Sequence, residues 1–188
     1  MRIILARHGR PGWDFRTPIC GYALGDWRRG EDDAPLDSTN RPGEALVQLA
    51  REAACICTSP LRRSRESAEL LATTAAMVVD ADFREAELPC AFRSGLRLPP
   101  DVWAFLARSA WFCGWSAGAE GFQKARGRAA KAAALLRARA ERDGVVLLMG
   151  HGLMNILIAR HLRGVGWRGP RLPSQKHWGF AIYERNDP

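Results

Sequence analysis

The sequence has no long apolar run. Its longest, Val145 to Ala159, is broken by Gly150-His151-Gly152 and by Asn155. That is too short and too polar to span a bilayer, so no membrane association is expected. The opening run, Ile3 to Ala6, falls far short of a signal-peptide core and no small-residue cleavage site follows it, so no secretory signal is expected. Paired CxxC units are also missing. The five cysteines, Cys20, Cys55, Cys57, Cys90 and Cys113, are odd in number and scattered, which speaks against a zinc site or a disulfide framework. Cys55 and Cys57 lie too close for an ordinary strand disulfide and would share one face of a strand. Buried free thiols in a reducing cytoplasm are the expectation. No internal repeat and no long linker divides the chain.

What remains is an ordinary globular composition. The 188 residues, 47% hydrophobic and 26% charged, suit one domain over 1–188 with a real core. The net charge of +8 is compatible with nucleic acid, an acidic membrane surface or anionic small molecules, and does not choose among them. The strongest basic segment is Glu120–Arg142, with Lys124, Arg126, Arg128, Lys131, Arg137, Arg139 and Arg142. A basic helix can hold nucleic-acid phosphates. No zinc finger or RNA-recognition motif accompanies this one, so a solvated outer face is the preferred reading and nucleic acid is not expected as a partner.

Four segments read as buried strands: Arg2–Ala6, Ala53–Cys57, Met77–Asp80 and Val145–Met149. Near-continuous apolar runs suit a parallel sheet covered on both faces. His177–Glu184 alternates more and reads as an edge strand. Helical patterns fall at Pro42–Glu52, Leu61–Thr74, Pro100–Trp111, Glu120–Arg142 and Gly152–Leu162, and strands alternating with helices predict an α/β fold with a mostly parallel sheet.

In such sheets ligands bind beyond the carboxyl ends of the strands. That rule selects Arg7-His8-Gly9, the Thr58–Arg63 stretch and Gly150-His151-Gly152. Two histidines and at least two arginines on one edge suit a phosphoryl group. A guanidinium fork matches phosphate oxygens, and a helix N-terminus adds backbone donors. A neutral, aimed imidazole can attack phosphorus, and a second can donate to oxygens that gain charge in the transition state. A leaving alkoxide needs a proton, and "DADFREAELPC" supplies Glu85 and Glu87.

The stretches "ARHGR", "TSPLRRSRESAELL", "FREAELP" and "LLMGHGLMN", in that order across nearly the whole chain, resemble the motifs of the histidine phosphatase superfamily. The resemblance implies the phosphoglycerate-mutase-like fold, a three-layer α/β/α sandwich around a mostly parallel sheet. It also implies roles: His8 as the phospho-accepting nucleophile, Arg7 and Arg63 as phosphate ligands, His151 as the second histidine of the phosphate pocket. Glu85 would be the acid, with Glu87 its rival two residues away, and Asp14 after Trp13 would touch phosphate or substrate. The mechanism so implied uses no metal and no cofactor, because arginines and His151 supply the positive charge.

Several positions depart from the family's habits. Arg10-Pro11 follows "RHG" where relatives usually carry Glu or Gln, Ser64 stands where alanine is usual, and "AELPCAF" replaces a segment containing glycine and tryptophan. These changes spare the phosphate pocket and bear on the substrate. Gly9 reads as the residue that lets backbone approach the anion closely, and Arg10 as a substrate contact. Trp103, Trp111 and Trp115 either line a substrate pocket or pack into the core, packing being preferred. Arg62 reads as solvated, and the arginine-rich loop and helix around "GDWRRGEDD" as a flexible flap. The sequence therefore predicts a cytoplasmic, metal-independent histidine acid-type phosphatase working through phospho-His8 on a small phosphorylated metabolite or a phosphoprotein. The alternatives are a phosphoglycerate-type mutase and a catalytically silent module that binds anions or nucleic acid.

Overall fold

Ile3, Ile4, Leu5 and Ala6 are buried on both sides of the first strand, and the rest of the chain is arranged to cover them. The computed structural model describes residues 1–185. In chain order the elements are β1 (Arg2–Arg7), β2 (Ile19–Cys20), α1 (Leu24–Asp33), α2 (Glu44–Glu52), β3 (Cys55–Thr58), α3 (Arg62–Glu69), β4 (Ala76–Val79), β5 (Arg97–Leu98), α4 (Pro100–Phe112), α5 (Phe122–Asp143), β6 (Val145–Gly150), α6 (Gly152–Gly164) and β7 (Phe180–Glu184). The main sheet has the order β4-β3-β6-β1-β7. Every pairing in it is parallel except that of β1 with β7.

Side chains alternate across this sheet as the period of two demands. Ile3, Leu5, Cys55, Cys57, Val146 and Leu148 join one apolar layer with α5 and α6. Ile4, Ala6, Ile56, Leu147 and Met149 join the other, with Leu46 and Ala50 of α2 and Ala68 of α3. The result is a three-layer α/β/α sandwich. Ala125, Ala129, Ala132, Ala133 and Ala140 are the buried stripe of α5, and such small side chains let the helix lie close to the sheet.

The parallel register fixes where the functional edge falls. Arg7 pairs with Gly150 and Thr58 with Met149, so β1, β6 and β3 end level. The residues that follow, His8, His151 and Ser59, emerge together.

Several expectations change. Met77–Asp80 is not a buried strand: β4 is the sheet's outer edge, with Met77 40% and Val79 49% exposed. The last strand begins at Phe180, leaving His177 and Trp178 in a turn. The helix expected over Leu61–Thr74 ends at Glu69, and Ala72 adopts φ 48°, a left-handed conformation that helix cannot continue through. The thiols are all free, but only Cys55 and Cys57 are buried; Cys113 is exposed. A two-stranded ribbon of β2 and β5 was not foreseen, because two-residue strands leave no periodic signal. The segment around "GDWRRGEDD" is the helix α1.

The sheet order makes a stability prediction. Leu147→Ala, on the central strand, should cost about 2–5 kcal/mol. Val79→Ala, on the exposed edge, should cost less than about 1 kcal/mol. Urea unfolding midpoints of the two variants check this, and equal losses would contradict the edge position of β4.

Candidate active site

His8 leaves β1 fully enclosed. Its Nδ1 lies 2.7 Å from the Gly9 carbonyl oxygen, which can only accept, so Nδ1 carries the proton and Nε2 keeps its lone pair. Arg63 Nε donates to that Nε2 at 3.2 Å. Burial is the largest cause holding the His8 pKa well below the ordinary imidazole value, followed by His151 and Arg63. The nucleophile candidate is thus neutral, tautomerically fixed and oriented.

His151 follows β6, its ring centroid 5.0 Å from that of His8. Its Nε2 is 2.7 Å from Ser59 Oγ. The Leu61 N–H already donates to that hydroxyl at 3.3 Å, so the serine's own proton is free to go to Nε2. This leaves Nδ1–H on His151, and Nδ1 has no partner among the described residues. Burial first, then Arg63, Arg28 and Arg7, keep this imidazole neutral as well. Arg7 donates through Nη1 to the Gln175 carbonyl, while its buried Nε is unpartnered among the described residues. An unsatisfied buried donor costs about 1–3 kcal/mol. Two of them beside a neutral nucleophile make a site that an incoming anion would relieve.

Arg63, in the first turn of α3, is almost wholly buried. Its Nη1 donates to Asp32 Oδ1 at 2.5 Å, and Asp32 also faces Arg28 at 3.3 Å. Ser64, where alanine was expected, donates to the Met149 carbonyl at 2.5 Å and accepts from the Ser59 N–H at 3.1 Å. It ties α3 to the ends of β3 and β6. Arg62 is exposed, as read from the sequence, and is paired with Glu66.

Glu85 lies at the start of α6, beside His151. Its Oε1 accepts from Met154 N at 2.9 Å and from its neighbour Ala86 N at 3.0 Å; Oε2 accepts from Leu153 N at 3.2 Å. Glu87 is committed elsewhere, accepting from Glu120 N at 2.7 Å. A cleft of about 320 Å³ beside Glu85 is lined by Arg28, Asp32, Leu61 and Arg84 to Leu88.

The other sequence candidates do not gather here. The Asp14 carboxylate is exposed and accepts from Arg16 N at 2.8 Å and Thr17 N at 3.1 Å; a bond to the Thr17 side chain first, and then these two, lower its pKa. Arg10 is exposed, its backbone N–H held by Asn40 at 2.8 Å. At Gly9 a Cβ would sit 2.4 Å from the Trp178 indole, a packing reason for glycine. Trp103 and Trp111 are core residues, while Trp115 is 38% exposed against Phe92.

Sequence reasoning missed Asp32, Arg28, Ser59 and His177. The His177 ring is 5.4 Å from that of His8, and its Nδ1 is 3.1 Å from the His8 carbonyl. Only Ser59, inside "TSPLRRS", carried a signal. The others depend on chain packing that no spacing encodes.

Two neutral histidines and two arginines at the strand ends, with the Glu85 carboxyl group at the start of α6, define a site suited to a phosphoryl group. The chain belongs to the histidine phosphatase superfamily (branch 1), whose model matches residues 3–187. Among solved structures it is similar to the mycobacterial glucosyl-3-phosphoglycerate phosphatase complexed with VO3, at 25% identity, 86% of this chain, 81% of that chain and a TM-score of 0.58. It is also similar in fold to Bacillus stearothermophilus YhfR, at 17% identity, 98% and 91% coverage and a TM-score of 0.61. A putative alpha-ribazole-5'-P phosphatase from Escherichia coli aligns at 18% identity, 99% and 91% coverage and a TM-score of 0.57. No curated protein matches the sequence.

The buried histidines predict a pH-dependent stability. Burial and Arg7 press His177 down to about 4, and His8 and His151 are lowered too. An unfolded chain protonates these imidazoles near pH ~6.5. Between that value and about 4 the unfolded state therefore holds more protons, and stability rises with pH. Stability should be full above pH ~6.5 and fall as pH drops toward about 4. Urea midpoints at about pH 7.5 and 5 should show this fall, and His177→Asn should shrink it.

Proposed function

We propose that the chain is a metal-independent phosphomonoesterase that works through a phosphohistidine on His8. The observation that carries this reading is the neutral His8 with its lone pair on Nε2, flanked by Arg7 Nε and His151 Nδ1, donors without a partner among the described residues. In the first step His8 Nε2 forms a bond to phosphorus as the ester P–O bond breaks, and Glu85 gives its proton to the departing oxygen. Arg63 turns its donors from His8 and Asp32 to the phosphoryl oxygens, while Arg7 and His151 stabilise the spreading charge. In the second step water attacks phosphorus, Glu85 takes a proton from it, the N–P bond breaks, and inorganic phosphate leaves with His8 neutral again.

The substrate class we propose is a small phosphorylated metabolite. The 25%-identical mycobacterial relative is a phosphatase of such a compound, which favours hydrolysis over the mutase alternative. No helix of the described residues is long and apolar enough to cross a membrane. The five free thiols fit a reducing, cytoplasmic setting.

His8→Ala should abolish hydrolysis of p-nitrophenyl phosphate, and a chelator should leave the wild-type rate unchanged. Equal rates for wild type and His8→Ala would defeat the nucleophile assignment; loss of activity with chelator would defeat the metal-free one. For the acid, Glu85→Gln should lower kcat/KM for an alkyl phosphate by about 10²-fold or more and that for p-nitrophenyl phosphate far less. Glu87→Gln should leave this ratio unchanged.

A further inference from the structure

Arg128 belongs to the basic helix that the sequence presents as a solvated face, yet it is not solvated. Its side chain is 11% exposed and its partner Glu120 only 8%. The guanidinium makes a fork with Glu120, Nε to Oε1 at 2.9 Å and Nη2 to Oε2 at 2.5 Å. Its remaining capacity goes to backbone. Nη1 donates to the carbonyls of Asp82 at 3.0 Å and Arg84 at 2.6 Å, and Nη2 to that of Glu85 at 3.3 Å. These five bonds match the five N–H groups of an arginine.

A second arginine continues the same line. Arg108, on α4, donates to the carbonyls of Ala86 at 3.0 Å and Glu87 at 3.2 Å. Four consecutive carbonyls, Arg84 to Glu87, are thus each held by a guanidinium. The segment needs this, since it belongs to no helix or strand and has no ladder to fix it. The Glu87 carboxylate closes the circuit by accepting from Glu120 N at 2.7 Å. Glu85 is then set from two sides: its backbone by Arg128, its carboxylate by the first turn of α6.

We propose that Arg128, braced by Glu120, is a positioning residue for the general acid Glu85. This rests on the reading of Glu85 as that acid. Arg128 bonds to neither His8 nor the phosphate-binding side chains, so its removal should spare nucleophilic attack. It should blur the aim of the Glu85 carboxyl group at the leaving oxygen, and a misplacement of about 1 Å is enough to cost a large factor in rate. A good leaving group needs little protonation and is insensitive to that aim; a poor one depends on it.

The test compares kcat/KM, which reports the first chemical step, for p-nitrophenyl phosphate and an alkyl phosphate such as glycerol phosphate. Arg128→Lys keeps the charge and loses the fork. We expect its kcat/KM to fall about tenfold or more with the alkyl ester and less than about threefold with the aryl ester, with an unchanged circular dichroism spectrum. In the double variant with Glu85→Gln the alkyl rate should fall little below that of Glu85→Gln alone. Equal losses on both esters, or full additivity in the double variant, would overturn the proposal. If Arg128→Lys does not fold, Glu120→Gln, which removes the brace and keeps the carbonyl contacts, should shift the same ratio in the same direction, and an unchanged ratio overturns the proposal. The underlying reading fails separately: should Glu85→Gln itself show no dependence on the leaving group, Glu85 is not the acid.

Discussion

The level ends of β1, β6 and β3 are the constraint on which the site depends. Parallel pairing sets Arg7 opposite Gly150 and Thr58 opposite Met149. A slip of one residue would turn each strand's side chains to the other face and would separate His8 from His151. The register is held by apolar layers on both sides of the sheet, so core packing and site geometry are not independent. Asn155 adds a direct link: its Nδ2 donates to the Ala6 carbonyl at 2.9 Å. Its side chain also fills the space that a Cβ on Gly150 would occupy, 2.3 Å away, which explains the first glycine of "GHG" by packing.

A buried site crowded with guanidinium groups would be expected to repel any further positive charge, and the histidines obey that. Burial and arginine keep His8 and His151 neutral, which is the state that a nucleophile and a neutral donor need. The same arginines are not left bare. Asp32 engages Arg63 and Arg28, and Glu31 engages Arg28. Asp32 therefore holds the Arg63 guanidinium in place by occupying one of its donors. That carboxylate belongs to α1, so α1 is part of the site rather than a cover over it.

Much of this was legible in the sequence. The apolar runs located the four parallel strands, and the strand-end rule located His8, Arg63 and His151 before any contact was known. Of the tandem glutamates the resemblance favours Glu85 over Glu87 as the acid; in the structure the two differ in their partners, Glu85 accepting from the first turn of α6 and Glu87 from Glu120 N. The packing that requires glycine at position 9 was not visible in the sequence, because the partner, Trp178, is distant along the chain. Asp14 followed the motif in sequence but its carboxylate is engaged by the backbone of Arg16 and Thr17, and Arg10 is exposed with its backbone N–H held by Asn40. Asp32 could not be found, because nothing in "GDWRRGEDD" states which acidic residue faces α3.

Arg128 shows the limit of such reading most clearly. Helical spacing places it among six other basic residues, and composition alone cannot tell a solvated guanidinium from one with every donor engaged. The difference arises because Arg84 to Glu87 lies against α5 outside any helix or strand, and carbonyls without a ladder need donors from somewhere. An arginine supplies several at once from a single side chain, and it brings Glu120 with it to balance the buried charge. A segment that must be irregular, so that Glu85 can turn toward the start of α6, is thus made rigid by side chains where backbone pairing is unavailable to it.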